Sequence, residues 1–153
     1  MKFLPDNPII FRSNTFTKAI SWFIDVYAIT LYPFVIMRQS EEHAHMSPGN
    51  RLWEQYKEQK TIHHETIHIR QYKELWVLGF LALYLWDWCV GMLKYRNPQK
   101  AYYQIRFEQE AYNHDKEFGF YFDGVRRSGS QYWQGEEDYV ETRDPFAWKK
   151  YKV

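Results

Sequence analysis

The chain has 153 residues and a formal net charge of +1, with 20 Lys and Arg against 19 Asp and Glu. This length allows one domain with a core of its own, and the balanced charge gives a nucleic-acid-binding role no support. Cys89 is the single cysteine, which excludes an intramolecular disulfide and an all-thiolate metal site.

Residues 1–18 are predicted to form an irregular N-terminal arm. Pro5, Pro8 and the pair Ser13-Asn14 interrupt any periodic pattern in this segment. The first eight residues also lack the apolar core and the cleavage site of a secretory signal. We therefore expect the protein in the cytoplasm or within a larger assembly such as a virion, with membrane association as the disfavoured alternative.

Residues 27–37 carry a pattern typical of β-structure. They are rich in β-branched and aromatic side chains, which predicts a strand or a bent pair of strands. Pro33 cannot donate a hydrogen bond within a sheet, so we expect it at an edge or a bulge.

Two apolar runs, 19–37 and 75–93, are each 19 residues long, which is enough to cross a bilayer. Each contains an aspartate, Asp25 in the first and Asp87 in the second. A charged side chain is costly in lipid. We therefore predict that both runs are buried inside the protein, with membrane spanning, peripheral attachment to a membrane and docking into a larger assembly as the alternatives.

Two helices are predicted after a polar connection. Ser47 and Pro48 form an N-cap and first-turn pair, and residues 51–94 contain no proline, which predicts one long helix or two abutting ones. Asn97 and Pro98 begin a second helix that ends near residue 118, before Gly119. Residues 119–153 then predict an irregular aromatic tail that docks through its rings.

The predicted fold class is α+β, mainly helical, with a small strand element. The predicted organisation is an arm at 1–18, a metal-binding domain at 19–118 and the aromatic tail at 119–153. The tail is also the segment that we expect to contact a protein partner.

The long helix carries the pentapeptide His64-Glu65-Thr66-Ile67-His68. Residues four apart lie on one helical face about one turn apart, so both imidazoles can reach one metal ion. The glutamate beside the first histidine can meet water bound to that metal. The spacing predicts a zinc site that uses His64 and His68, with Glu65 as the general base.

A catalytic zinc site needs a third protein ligand, and the second helix supplies candidates for it. Glu108, Ala111 and Tyr112 fall at i, i+3 and i+4, which places them on one face. The small side chain of Ala111 would let the two helices approach closely. Glu108 is therefore a candidate for this ligand, and Glu110 is its rival.

The two motifs, His64 to Gln71 and Glu108 to Tyr112, together resemble gluzincin-type zinc metallopeptidases. More narrowly, they look like small zincin-like domains of bacteria and phages that pair HExxHxxQ with ExEA(D/Y). The resemblance covers residues 27–118 and implies that His64, His68 and Glu108 bind zinc while Glu65 acts as general base.

The resemblance is incomplete at one position, because Tyr112 stands where these peptidases often have an aspartate. A phenol there would donate a hydrogen bond to a carboxylate or to a developing oxyanion, so Tyr112 is a predicted catalytic residue. Gln71 either faces the site or is simply a polar residue of the helix, and the second interpretation is the favoured one.

The predicted activity is zinc-dependent hydrolysis of a peptide-like bond, in a peptide or a peptidoglycan-like substrate. The alternative is a non-catalytic structural or interaction protein of a virion or an injection machine that retains a zincin scaffold. The unusual aromatic tail favours this alternative.

Overall fold

The computed structural model describes residues 9–21, 27–38, 48–114 and 146–153. These ranges form, in chain order, β1 (Ile9–Arg12), α1 (Asn14–Ser21), β2 (Ala28–Leu31), β3 (Phe34–Met37), α2 (Pro48–Tyr95), α3 (Pro98–Tyr103), α4 (106–114) and a 3-10 turn (Ala147–Lys150). The protein is mainly helical with a small mixed sheet, which confirms the predicted α+β class.

β3 is the central strand of the sheet, with β1 parallel to it on one side and β2 antiparallel on the other. β2 and β3 form the predicted bent strand pair, and Pro33 lies in the turn between them. Alternate side chains face α2, because Ala28, Thr30, Val35 and Met37 are buried. β2 is an edge strand that lies against α2, and this contact later supplies a residue to the site.

The N-terminal arm is not irregular where the structure describes it. β1 pairs with β3 from Ile9↔Phe34 to Arg12↔Met37, and α1 follows directly. Arg12 also forms an ion pair with Glu58 of α2. The prediction was wrong here because a four-residue parallel strand is stabilised by a partner far along the chain, which a local pattern does not reveal.

α2 is helical from Pro48 to Tyr95 apart from one residue, Trp76, whose φ is 62° and ψ is 160°. The predicted helix is thus two helical halves that join at Trp76. Glycine adopts this region of backbone conformation readily and other residues rarely do. Because the joint carries neither glycine nor proline, no residue at this position predicts a break in the helix.

α3 begins where the sequence predicts. Asn97 accepts a hydrogen bond from the backbone N–H of Lys100 at 2.9 Å, and Pro98 occupies the first turn. The predicted helix is divided by a turn at residues 104–105 and resumes as α4, and residues 115–118 lie outside the described ranges.

Gly91 allows α2 and α3 to pack closely. A Cβ atom at this position would lie 3.0 Å from both the Cα and the Cβ of Ala101. A side chain here would require Ala101 to move by a few tenths of an ångström, so glycine suits the close approach of the two helices.

An ion pair fixes the start of α4 to the second half of α2. The guanidinium of Arg106 donates to both oxygens of Asp87, at 2.6 and 2.7 Å, and the Arg106 backbone N–H also donates to Asp87, at 3.3 Å. Asp87 is fully buried, and its hydrogen bond raises the pKa of Arg106. The pair holds the backbone two residues before Glu108, so it determines where that carboxylate lies.

The main hydrophobic core lies between α2, the start of α4 and the C-terminal end of the chain. It is built from the buried residues Tyr72, Phe80, Ile105, Phe107 and Trp148. The ring centroid of Trp148 is 5.2 Å from that of Phe107, so the predicted docking of the tail through its rings is observed at this residue. Residues 119–145 of the tail lie outside the described ranges.

The second half of α2 is apolar and mostly exposed. Tyr56–Tyr95 contains an 18-residue stretch that is long and apolar enough to cross a membrane, and 17% of that stretch is buried. Our prediction that residues 75–93 are buried inside the protein is therefore wrong for most of them. The helix packs against α3 with one side only, and the described parts of the chain leave its opposite side exposed.

Candidate metal centre

Three buried side chains, those of His64, His68 and Glu108, meet between α2 and α4. Their ligand atoms lie within 4.8 Å of one another. The Nε2 atom of His64 is 3.3 Å from one oxygen of Glu108, and the Nε2 atom of His68 is 3.3 Å from the other. Within the described ranges, these are the three residues close enough together to bind a metal ion.

The positions of the two imidazoles follow from the helical spacing of the pentapeptide. His64 and His68 are four residues apart in the first half of α2, and their ring centroids lie 4.9 Å apart with an edge-to-face orientation. Glu108 reaches them from α4, which Asp87 anchors. The position of the two histidines therefore depends on local helix geometry, whereas the position of Glu108 depends on a tertiary contact.

Gln71 orients His68. Its side-chain nitrogen donates to the Phe107 carbonyl at 3.2 Å and to Glu110 at 2.8 Å, which fixes the direction of the amide. The amide oxygen then lies 2.7 Å from Nδ1 of His68 and can only accept a hydrogen bond. Nδ1 therefore carries the proton, and Nε2 is the nitrogen that faces Glu108 and is available to a metal.

The favoured interpretation of Gln71 as simply a polar helix residue is wrong, because this side chain is fully buried and faces the cluster. Its partner Glu110, the rival for the third ligand position, is also fully buried. Glu110 contacts the amide of Gln71, whereas Glu108 contacts the two imidazoles. The structure thus places Glu108 in the metal-binding group and Glu110 behind it.

Two tyrosines hold the carboxylate of Glu108. Tyr84, from the second half of α2, donates to one oxygen at 2.8 Å, and Tyr102, from α3, donates to the other at 2.8 Å. Burial and the charge of Glu108 both raise the pKa of each phenol well above its ordinary value. Both hydroxyls therefore stay protonated and act as donors across the neutral pH range.

The charges of the cluster stabilise one another. Burial raises the pKa of Glu108, but the two histidines outweigh burial and hold that pKa far below its ordinary value. Burial likewise lowers the pKa of His68, and the Glu108 carboxylate outweighs it, so the net pKa of His68 is raised. In the metal-free protein, Glu108 is therefore an anion beside a readily protonated imidazole.

Glu65 points toward β2. The hydroxyl of Thr30 donates to Oε2 of Glu65 at 2.5 Å, and both residues are buried. The Tyr72 hydroxyl in turn donates to the backbone carbonyl of Thr30 at 3.3 Å. Burial and the nearby charge of Glu65 raise the pKa of Tyr72 to about 12. The edge strand thus fixes the carboxylate next to the first histidine.

Tyr112 lies against His64, with its ring centroid 4.7 Å from that of the imidazole. The predicted catalytic residues Glu65 and Tyr112 therefore both contact the surroundings of the metal-binding group. Their catalytic roles stay predictions.

Two cavities open beside the cluster and share Glu65 and Tyr102 in their walls. The larger has a volume of about 430 Å³ and carries three cations in its lining, Arg38, Lys57 and Lys60. The smaller has a volume of about 190 Å³ and is mainly apolar, with Leu31, Phe80 and Leu81 among its lining residues.

Sequence reasoning missed the residues that support the cluster from a distance. Thr30 lies 35 positions from Glu65, and Tyr84 lies 24 positions from Glu108. Tyr102 lies only six positions from Glu108 but in another element, and no spacing rule connects these residues to the cluster. Gln71 did carry a signal, since it is the last residue of the HExxHxxQ pattern and lies seven positions after His64, on the same helical face.

Comparison of the chain with known protein families, with curated proteins and with solved structures finds no match. The resemblance to gluzincin-type peptidases therefore rests on the two sequence motifs. The structure adds the α+β fold and the buried group of His64, His68 and Glu108.

Proposed function

We propose that this protein is a zinc-dependent hydrolase of peptide-like bonds. The observation that supports this proposal best is the buried contact of both imidazole Nε2 atoms with the two oxygens of Glu108. Two histidines and one glutamate are a donor set of catalytic zinc sites, which leave a further position open. The proton that Gln71 directs to Nδ1 of His68 leaves Nε2 ready to bind a metal, so these residues fit the ion.

His64, His68 and Glu108 would hold a zinc ion, which would supply a Lewis acid that makes water a nucleophile near neutral pH. Glu65 accepts the proton of the attacking water and returns it to the leaving amine. Because Thr30 occupies Oε2 of Glu65 at 2.5 Å, we assign this proton to the other oxygen, Oε1. The same contact orients the carboxylate before the substrate arrives.

Two tyrosines have separate roles in this proposal. Tyr102 keeps Glu108 in position through its hydrogen bond of 2.8 Å. Tyr112, which lies beside His64 in the wall of the larger cavity, donates to the negative charge that develops on the substrate carbonyl oxygen.

The two cavities indicate the kind of substrate. The smaller one suits an apolar side chain, because Leu31, Phe80 and Leu81 line it. The larger one suits an acidic group, because Arg38, Lys57 and Lys60 line it. A peptide or a peptidoglycan-like stem with a carboxylate on one side of the scissile bond meets both requirements.

The test compares zinc-loaded wild-type protein with Glu65→Gln on a library of unmodified peptides, with the cleavage sites read by mass spectrometry. We expect Glu65→Gln to retain zinc and to lose about 10²- to 10⁴-fold in rate. Glu58→Gln is the matched control, because it is the same substitution in the same helix at a residue that pairs with Arg12 instead.

Two outcomes separate the enzyme from the alternative. Full turnover by Glu65→Gln would contradict the role of Glu65 as base. Stoichiometric zinc with no cleavage of peptides or peptidoglycan fragments by the wild type would favour the non-catalytic scaffold of a larger assembly.

A further inference from the structure

We propose that the second half of α2 docks this protein onto the surface of an anionic lipid bilayer. The surface that does so, here called the apolar face, consists of Leu78, Leu81, Leu85, Trp86 and Leu93. Their spacing places them on one side of the helix. All five are exposed, and the exposed fraction reaches 82% at Leu78 and at Leu93.

The opposite side of the same helix is already used by the domain. Phe80 lies in the hydrophobic core, Tyr84 donates to Glu108, and Gly91 contacts Ala101. A surface helix of a soluble domain normally turns a polar face to water. This one is apolar on both sides, and its low buried share separates it from a core helix of similar composition.

The one acidic residue in this half of α2 does not interrupt the apolar face. Asp87 is the only acid between residues 76 and 103. It is fully buried, and both of its oxygens accept hydrogen bonds from Arg106. The aspartate that argued against a lipid environment is therefore neutralised inside the domain.

Cations lie directly beyond the end of the apolar face. Lys94, Arg96 and Lys100 are all exposed, and the two lysine Nζ atoms lie 5.1 and 4.8 Å from the ring centroid of Tyr95. Anionic headgroups attract such a cluster, and aromatic rings favour the headgroup level of a bilayer. The segment 76–103 of a second copy would offer these cations no exposed acid, since its single acid, Asp87, is buried, so anionic lipid is the better partner.

The helix lies along the bilayer surface. From Leu78 to Leu93 the apolar face extends about 23 Å at the rise of an α-helix. The domain covers one side of the helix and leaves the other side exposed. Such a helix suits insertion into the headgroup region of one leaflet and does not suit a crossing of the bilayer. Leu81 also lines the smaller cavity, so docking brings the mouth of that cavity to the lipid surface.

The test is sedimentation of the full chain with vesicles of phosphatidylcholine alone and with vesicles that contain 30% phosphatidylglycerol. We expect the wild type to bind the anionic vesicles and to bind them more weakly as salt is added. Leu78→Glu combined with Leu85→Glu should lower binding at least about tenfold. Lys94→Gln combined with Lys100→Gln should lower it about tenfold on anionic vesicles only.

Matched controls keep the result interpretable. Lys149→Gln combined with Lys152→Gln removes the same charge from exposed residues outside this surface and should leave binding unchanged. Far-UV circular dichroism and the thermal unfolding midpoint of each variant show whether the fold is intact. Docking does not use the metal, so its failure is distinct from failure of the proposed hydrolase.

Three outcomes would overturn the proposal. The first is equal vesicle binding by the wild type and the Leu78→Glu/Leu85→Glu variant. The second is a dimer in light scattering that this variant disperses, together with no vesicle binding, which would identify a second copy as the partner. The third is a monomer that sediments with neither kind of vesicle.

Discussion

The amide oxygen of Gln71 lies 2.7 Å from Nδ1 of His68, on the side of the imidazole opposite to Glu108. Because the amide nitrogen of Gln71 donates to Phe107 and to Glu110, the amide cannot turn to present its other end. This single side chain therefore determines both the orientation of the ring and the nitrogen that carries its proton.

Removal of this amide should weaken zinc binding. For Gln71→Leu we expect zinc affinity to fall about 10- to 100-fold, since the orientation and basicity of His68 are lost. Competition with a chromophoric chelator measures the change. Gln109→Leu removes an amide that donates to the Gln104 carbonyl instead, and it should bind zinc like the wild type. Equal affinity of both variants would contradict the role of Gln71.

Glu108 and Glu110 should behave differently when each is replaced by glutamine. Glu108→Gln removes the carboxylate that contacts both imidazoles, so we expect the zinc stoichiometry measured after dialysis to fall to near zero. Glu110→Gln alters only the support of Gln71, so zinc should remain with affinity lowered by about tenfold. The reverse order would identify Glu110 as the ligand.

The stability of the zinc-free protein should depend on pH through the His68–Glu108 pair. The raised pKa of His68 stabilises the fold fully below the unfolded value of 6.5, and this contribution is lost as the pH rises through the folded-state pKa. The lowered pKa of Glu108 stabilises the fold above its ordinary 4.5, and this contribution is lost as the pH falls toward the folded-state pKa.

Urea unfolding at pH 5.5 and pH 8.5 tests this dependence. We expect zinc-free wild-type protein to be more stable at pH 5.5, and His68→Gln to reduce the difference between the two conditions. A wild-type protein that gains stability toward pH 8.5 would show that other groups dominate.

Trp76 should be replaceable by glycine with a gain in stability. Its φ of 62° is strained for any residue with a Cβ atom, and its side chain is 66% exposed, so little packing is lost. The substitution relieves the backbone strain but increases the entropy of the unfolded chain. We therefore expect the free energy of unfolding to rise by about 1 kcal/mol. Thermal unfolding in vesicle-free buffer measures it.

Leu78→Gly is the control for this substitution, because Leu78 is also exposed but lies in regular helix. It should cost about 1 kcal/mol. A similar loss in Trp76→Gly would mean that the backbone at Trp76 is ordinary helix in solution.

The sequence predicted the parts of the site that depend on local spacing. His64 and His68 are four residues apart in a helix, so their shared face follows from helical geometry alone. Asn97 and Pro98 mark the start of α3 for a similar reason, since capping is a local interaction. Glu108 was harder, because its position required a second motif in another helix.

Tertiary contacts explain what the sequence could not predict. β1 exists through its pairing with β3, Thr30 meets Glu65 because β2 lies against α2, and Trp76 breaks the helix without a glycine or proline. Asp87 misled the prediction in another way. Its charge argued for burial of the whole apolar run, whereas Asp87 itself is buried in an ion pair with Arg106 and most of the helix around it stays exposed.

The break at Trp76 divides α2 into two halves, and both halves contribute residues that position the candidate metal-binding group. His64, His68 and Gln71 belong to the first half of α2, whereas Tyr84 belongs to the second half and donates a hydrogen bond to Glu108. A bend at Trp76 therefore changes the hydrogen bond from Tyr84 to Glu108, while the distance between the two imidazoles stays the same. Mechanical load on the second half of α2 therefore reaches Glu108 by two routes, the Tyr84 hydroxyl and the ion pair of Asp87 with Arg106.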